Sequence, residues 1–470
     1  MGKINTMMDI GKRSMMNSQT ALQTVSHNIA NRTTEGYSRQ RVDLQAAAPV
    51  TEGRLQIGMG ARAAQVTRTN NPFLEKQLQR ESSHKSYLDG QAELLSRVEQ
   101  VFNEQSVKGL NQYISDFFNA FRELANTPES MTARALVRES AELMAQDFGR
   151  VMKQLEDIQQ DVDFQLMGRS EEINRILEEI ASLNQKIVEI EMRQIAANDQ
   201  KDRRDLLVKK LGELLDIRVA EGDRGAITIM TSGNGILVSG NEAGRVEARL
   251  SPQQGKMTLF LTPAGSQTEL EIGSRIQGGL LGGILHIRDQ VLEEMKQSIN
   301  LLAFTIVDQV NEAHLQGVTR RGEPASFFFE PVDPTAPVAK NMKLHSLIKN
   351  DLNQIAAGVD PKAPGDASVA HVISQIQTRQ IFDQGTATVD DFYNSQVGRI
   401  GILTQRALKA SQSQGEVVQQ LTKLRESISG VNLDEEATKM IEFQKAFDAS
   451  ARLIRTADEM LETVLNLKRL

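Results

Sequence analysis

The sequence contains no cysteine and no tryptophan, and only 4% of its 470 residues are aromatic. Without cysteine there can be no disulfide, thiolate metal site or thiol nucleophile, although the cellular compartment stays open. Scarce aromatics suit narrow helix–helix contacts built from Leu, Ile, Val, Met and Ala better than a wide globular interior. Neither sign of charge dominates. The 54 basic and 61 acidic residues leave a net charge of −7, which argues against a surface built for nucleic acid or for an anionic membrane. No stretch approaches the roughly eighteen consecutive apolar residues of a spanning helix. Residues 1–30 also lack a continuous apolar leader, so any export is expected to use a route without a cleaved hydrophobic leader.

What is present is an apolar stripe at each end. Ile4, Met8, Met15, Leu22, Val25 and Ile29 near the start, and Met440, Phe447, Ala451, Ile454, Leu461 and Leu465 near the end, fall at helical steps. Neither stripe can bury itself alone. Each needs the other terminus or neighbouring copies of the chain, and these twelve residues are the candidate assembly interface. Isolated helices of this length are marginal in water, so both ends are expected to stay largely disordered until a partner covers them.

Between the stripes the patterning predicts a mainly α protein with a β insertion: a long helical bundle, terminal coiled-coil helices and a small antiparallel β domain. Residues 1–70 read as an N-terminal helix followed by extended chain. A long-helix bundle over 71–216 opens on the cap Asn71-Pro72, with a first helix to about Asn103. The regular apolar spacing from Leu155 to Ile190 predicts a rod roughly 50 Å long. At 217–277, short β-rich runs alternate with the turn segments Gly222–Gly225, Ser232–Gly235 and Pro252–Gly255, as in an antiparallel domain. A returning bundle helix is expected over 278–318. Residues 319–365 hold more than half of the chain's eleven prolines and read as loop or a minor subdomain. Bundle helices over 366–430 and a C-terminal coiled-coil helix over 431–470 complete the chain.

Candidate chemistry is thin. His27, His84, His286, His314, His345 and His371 show no metal-ligand spacing, and no metal or cofactor is expected. Gly233-Asn-Gly235 suits a hairpin turn. The Gly278–Gly283 segment lacks both the dinucleotide-binding spacing and a phosphate-binding lysine, so close backbone packing at a helix entry explains it better. The acids Asp434, Glu435 and Glu436 open the last helix, where they complement its dipole. No catalytic constellation emerges, and the chain reads as a non-enzyme.

Ser26-His27-Asn28-Ile29-Ala30-Asn31, followed by Gly36-Tyr37-Ser38-Arg39-Gln40, needs only a helix end and a turn, with the Asn residues and Gly36 tolerating left-handed backbone. As a string it is far more specific. It resembles the N-terminal signature of the flagellar rod, hook and hook-associated family, in the form of the hook-associated branch. Ser429–Glu436, Phe443-Gln444, Ala449–Ala451 and Thr456–Leu461 agree at the other end. Arg203–Leu207, Gly278–Gly283, Val310-Asn311, His314 and Phe327–Phe329 follow the family's order between them. The stretch after Phe329 is short for the family, which implies that an outer domain there is reduced or absent.

The resemblance implies a structural subunit secreted through the flagellar type III apparatus, which polymerises at the distal hook end and joins hook to filament as a mechanical adaptor. Its implied partners are copies of itself in a ring or helical layer, hook protein, neighbouring hook-associated proteins and a dedicated export chaperone at the C-terminal helix. Nucleic acid and membrane are not among them. A hook or rod subunit of the same family, or a cytoplasmic coiled-coil scaffold, is the alternative.

Overall fold

In chain order the computed structural model begins with helix α1 (Gly2–Ala30) and strands β1 (Gln40–Ala46), β2 (Val50–Glu52), β3 (Leu55–Ile57) and β4 (Ala61–Arg68). Helices α2 (Pro72–Val101), α3 (Leu110–Asn126), α4 (Met131–Glu191) and α5 (Asn198–Leu214) follow. The strands β5 (Ile217–Glu221), β6 (Ile227–Thr231), β7 (Ile236–Ser239), β8 (Glu242–Ala243), β9 (Arg245–Leu250), β10 (Met257–Thr262) and β11 (Leu270–Glu271) come next. The chain then runs through α6 (Gly279–His286), α7 (Glu293–Leu315), α8 (Val338–Asn341), α9 (Ser346–Asn350), α10 (Ser368–Ile376), α11 (Val389–Ser429) and α12 (Leu433–Leu467). The structure describes residues 2–52, 55–102, 108–233, 235–252, 255–333 and 336–467. Asn103, Asn234 and part of the Pro252–Gly255 turn therefore lie outside the described residues.

Packing divides the chain into two units, 1–86 with 168–279 and 413–470, and 87–167 with 280–412. These divisions do not follow the linear segments read from the sequence. The bundle drawn over 71–216 is shared, because α2, α4 and α11 each contribute to both units and the boundaries fall inside helices. Helix α4 is 61 residues long, about 90 Å, which is enough to serve two cores.

In the first unit, β5-β6-β7-β8 and β9-β10-β11 form two antiparallel sheets. Ile229, Leu237, Val238, Val246, Leu259 and Leu261 are fully buried. The later half of α4 is tied to these strands by its asparagines. The Asn174 amide donates to Val246 O and accepts from Val246 N, both at 2.8 Å, while Asn184 donates to Ile227 O at 2.9 Å and Gly240 O at 2.8 Å. The turn before β6 places Arg224 and Gly225 at positive φ, 55° and 76°. Within the stretch expected as extended chain, residues 40–46 and 61–68 pair as the antiparallel ladder β1–β4.

The second unit is cored by aromatics. Phe117, Phe118, Phe121, Phe328 and Phe329 are wholly buried, with ring centroids 4.9–5.5 Å apart along the series. The proline-rich 319–365 stretch is thus part of this core rather than a loop beside it: Val338, Ala339, Ile348, Ile355 and Ala356 are buried too. Its irregular backbone can go inside because side chains satisfy it. Asn311 Oδ1 accepts from Phe328 N at 2.9 Å and Phe329 N at 2.8 Å, and its amide donates to Phe329 O. A π-helical step at residues 287–292 joins α6 to α7, and buried Arg288 there pairs with Asp163 at 2.9 Å and Asp289 at 2.8 Å. At Gly283 an added Cβ would lie 2.1 Å from Tyr87 O, so the glycine there serves close backbone packing.

Candidate assembly interface

The two chain ends meet within one molecule. Ser450 Oγ donates to Ser14 Oγ at 2.7 Å, Asn28 Nδ2 donates to Glu436 Oε2 at 2.8 Å, and a Cβ at Gly11 would lie 2.7 Å from Ile454. These pairs advance in opposite directions, so α1 and α12 form an antiparallel pair. Its centre is made of small residues. Ser18, Ala21, Ser450 and Ala457 are at most 6% exposed, and they let the helices approach closely.

The stripe residues fall into three groups. Val25 is buried at the centre. Ile4, Met8, Met15, Leu22, Ile29, Met440, Phe447, Ala451, Ile454 and Leu461 are half-buried, flanking or bordering that centre. Leu465, in the last turn of α12, is 46% exposed. Sequence reasoning weighted large apolar residues and so passed over Gly11, Ser14, Ser18 and Ala21, which keep the same heptad steps.

At the opposite end of the pair the signature residues build a polar hub. Asn28 is 1% exposed and makes every hydrogen bond its amide can make. Besides Glu436, its Nδ2 donates to Gln40 O at 2.9 Å, while Oδ1 accepts from Tyr37 OH at 2.7 Å and Gln40 N at 2.9 Å. With the Tyr37 proton committed to Asn28, His27 Nδ1–H donates to the Tyr37 oxygen at 3.0 Å. The Asn31 amide donates to His27 O and its Oδ1 accepts from Thr34, closing the helix end. Left-handed backbone in this turn belongs to Gly36 (φ 81°), where a Cβ would also press on Leu206 at 3.1 Å. The asparagines, expected to tolerate that conformation, supply hydrogen bonds instead. Ser26 is exposed.

Helix α5 and the start of α12 complete the hub. Ser38 N donates to Asp202 at 2.9 Å, Gln40 Nε2 to Asp199 at 2.8 Å, and Arg68 bridges Asp202 and Asp205 at 2.8 Å each. Arg39 pairs with Glu435 and Glu436, both at 2.9 Å, and its backbone N–H donates to Ser429 O. Burial pushes the Asp202 carboxyl up, offset by Arg68 and by Ser38. Burial, then Asp199, Asp202 and Glu436, pushes the Tyr37 phenol up, so it remains a donor. A cleft of about 230 Å³ beside the hub is lined by His27, Glu35, Tyr37, Asp199 and Arg203 among others. Among the described residues no cluster of His, Asp or Glu is arranged to hold a metal ion, and no helix is long and apolar enough to cross a membrane. The arrangement is a joint: it fixes the end of α1, the 36–40 turn, β4, α5, the end of α11 and the start of α12 on one another.

Comparisons with known proteins agree with that character. The model of the flagellar hook-associated protein FlgK helical domain matches residues 95–329, and that of the flagellar basal body rod FlgEFG protein C-terminal region matches residues 425–467. Flagellar hook-associated protein 1 of Bacillus subtilis is 29% identical over 98% of this chain and 97% of its own. The proteins of that name from Escherichia coli and Salmonella typhimurium are each 24% identical over 96% of this chain and 97% of theirs. The solved structure of the flagellar hook junction protein FlgK from Burkholderia pseudomallei shares the fold, with a TM-score of 0.68 and 16% identity over 75% of this chain and all of that one.

Proposed function

The chain belongs to the flagellar hook-associated protein FlgK family, and from that premise we propose that it polymerises at the distal end of the hook and joins hook to filament as a mechanical adaptor. It is a structural protein of the bacterial flagellum, and we read it as a non-enzyme exported through the type III apparatus.

The observation that carries this reading is the terminal pair itself. Its own seam consumes only part of its apolar surface: Met16, Ile441, Met460 and Leu465 stay 57%, 59%, 49% and 46% exposed on the two helices. Surface of this kind supports association with further copies in a ring or helical layer, with hook protein below and other hook-associated proteins above. Before assembly, the exposed apolar surface of α12 is the natural place for an export chaperone.

Two substitutions test the role of the seam. Phe447→Asp and Ile454→Asp each place a charge in the terminal pair and are expected to abolish incorporation at the hook tip, as seen by immunolocalisation. The β strands of the first unit should remain folded by circular dichroism. Normal junction assembly by either variant would count against the seam.

A further inference from the structure

We propose that Asn28, Arg39 and Glu436 form a one-way latch: α12 can dock only on a folded 36–40 turn, whereas the turn folds without α12. The inference rests on packing within one chain and does not depend on the junction role.

Glu436 lies in the first turn of α12 and is 1% exposed. Its Oε1 is 2.9 Å from Arg39 Nε and its Oε2 takes the Asn28 amide proton at 2.8 Å. Lys439 is 3.6 Å from the same carboxylate but travels with α12, so it gives no information about the turn. If α12 docked against an unformed turn, a carboxylate would be buried without the guanidinium that compensates it, which is strongly unfavourable.

The reverse situation is mild. Without α12, Asn28 keeps three of its four hydrogen bonds, all to Tyr37 and Gln40. Arg39 would simply be hydrated. The buried charge therefore belongs to the arriving helix, and its counter-charge belongs to the turn. Docking of the C-terminal helix is made conditional on the N-terminal signature.

The prediction is a reversal of sign. With Arg39 present, Glu436→Gln removes an ion pair and should weaken docking. With Arg39→Met, the same change removes a buried carboxylate left with only the longer, solvent-exposed ion pair to Lys439, and should strengthen docking. Two readouts on the full-length chain cover strong and weak docking: amide exchange across residues 443–461, and the oxidation rate of a Ser14→Cys/Ser450→Cys pair, which is clean because the chain has no other cysteine. R39M should lower docking at least tenfold by whichever readout is in range, and R39M/E436Q should recover most of that loss. The Gln40 amide, held by Asn28, should stay protected in R39M.

Failure of E436Q to strengthen docking in the R39M background overturns the latch, because an ordinary contact would only be lost again. Loss of Gln40 protection together with α12 overturns its one-way character. Absence of any disulfide in the S14C/S450C chain overturns the pairing on which it stands. Exchange in the second unit serves as the control for folding.

Discussion

Single side chains hold the irregular parts of this protein in place, and His314 is the clearest case. It is fully buried, its Nδ1–H donates to Ser326 O at 2.7 Å, and its Nε2 accepts from Ala356 N at 2.9 Å. The neutral ring thereby joins α7 to two loops. Burial above all, with Arg134 and His345 adding to it against the Ser326 bond, pushes its pKa down to about 4. Above pH ~6.5 both folded and unfolded chains carry the neutral ring, and the contribution is complete. As the pH falls toward 4 only the unfolded chain takes up the proton. Stability should therefore drop by about 1.4 kcal/mol per pH unit, roughly 3 kcal/mol in all, with no further loss from this residue below that. Urea unfolding of the second unit between pH 7 and pH 4 should show this slope, and His314→Gln should flatten it. Asn311 and His314 stood out in the sequence only as part of a family string. Their work is to satisfy backbone of distant loops, and no local periodicity announces that.

At the scale of elements, the terminal helices were legible and their contact line was not. Large apolar residues at Met8, Met15, Leu22 and Ile29 marked α1 as amphipathic, yet the line of closest approach runs through Gly11, Ser18 and Ala21 beside them. A stripe of small residues looks unremarkable in composition because close approach is a property of two helices together. This leads to an unequal pair of substitutions. Ala457→Leu, at a wholly buried seam position, should push the helices apart and weaken docking by about 1–3 kcal/mol. Leu465→Ala, beyond the seam, should change it by less than about 0.5 kcal/mol. Exchange protection of α12 measures both. The antiparallel strands of β5–β11 were readable from their turns and alternation. The sharing of α2, α4 and α11 between units was not, since a long regular helix carries no mark where its partner changes.

For the whole molecule, the absence of cysteine and the near balance of charge leave apolar surface as the main means of association. Ile441 and Met16 are more than half exposed and lie outside the α1–α12 seam. Ile441→Asp and Met16→Asp should suppress concentration-dependent self-association in sedimentation experiments while leaving the S14C/S450C disulfide intact. Loss of both together would mean that these residues hold the chain to itself rather than to its copies. The −7 charge is small enough that moderate salt should shift this association little, apolar burial being nearly indifferent to screening.

The antiparallel course of α1 and α12 has a topological consequence. The contacts of Gly11 with Ile454 and of Ser14 with Ser450 bring the first turns of α1 beside the later turns of α12, so the backbone returns to where it set out. A linker from the later turns of α12 to the start of α1 would close the described chain into a ring, and fresh ends could then be opened at the Gly222–Gly225 turn. In such a permuted chain the present first and last helices become one continuous hairpin, formed early and locally. What is now the longest-range contact of the sequence would become one of its shortest.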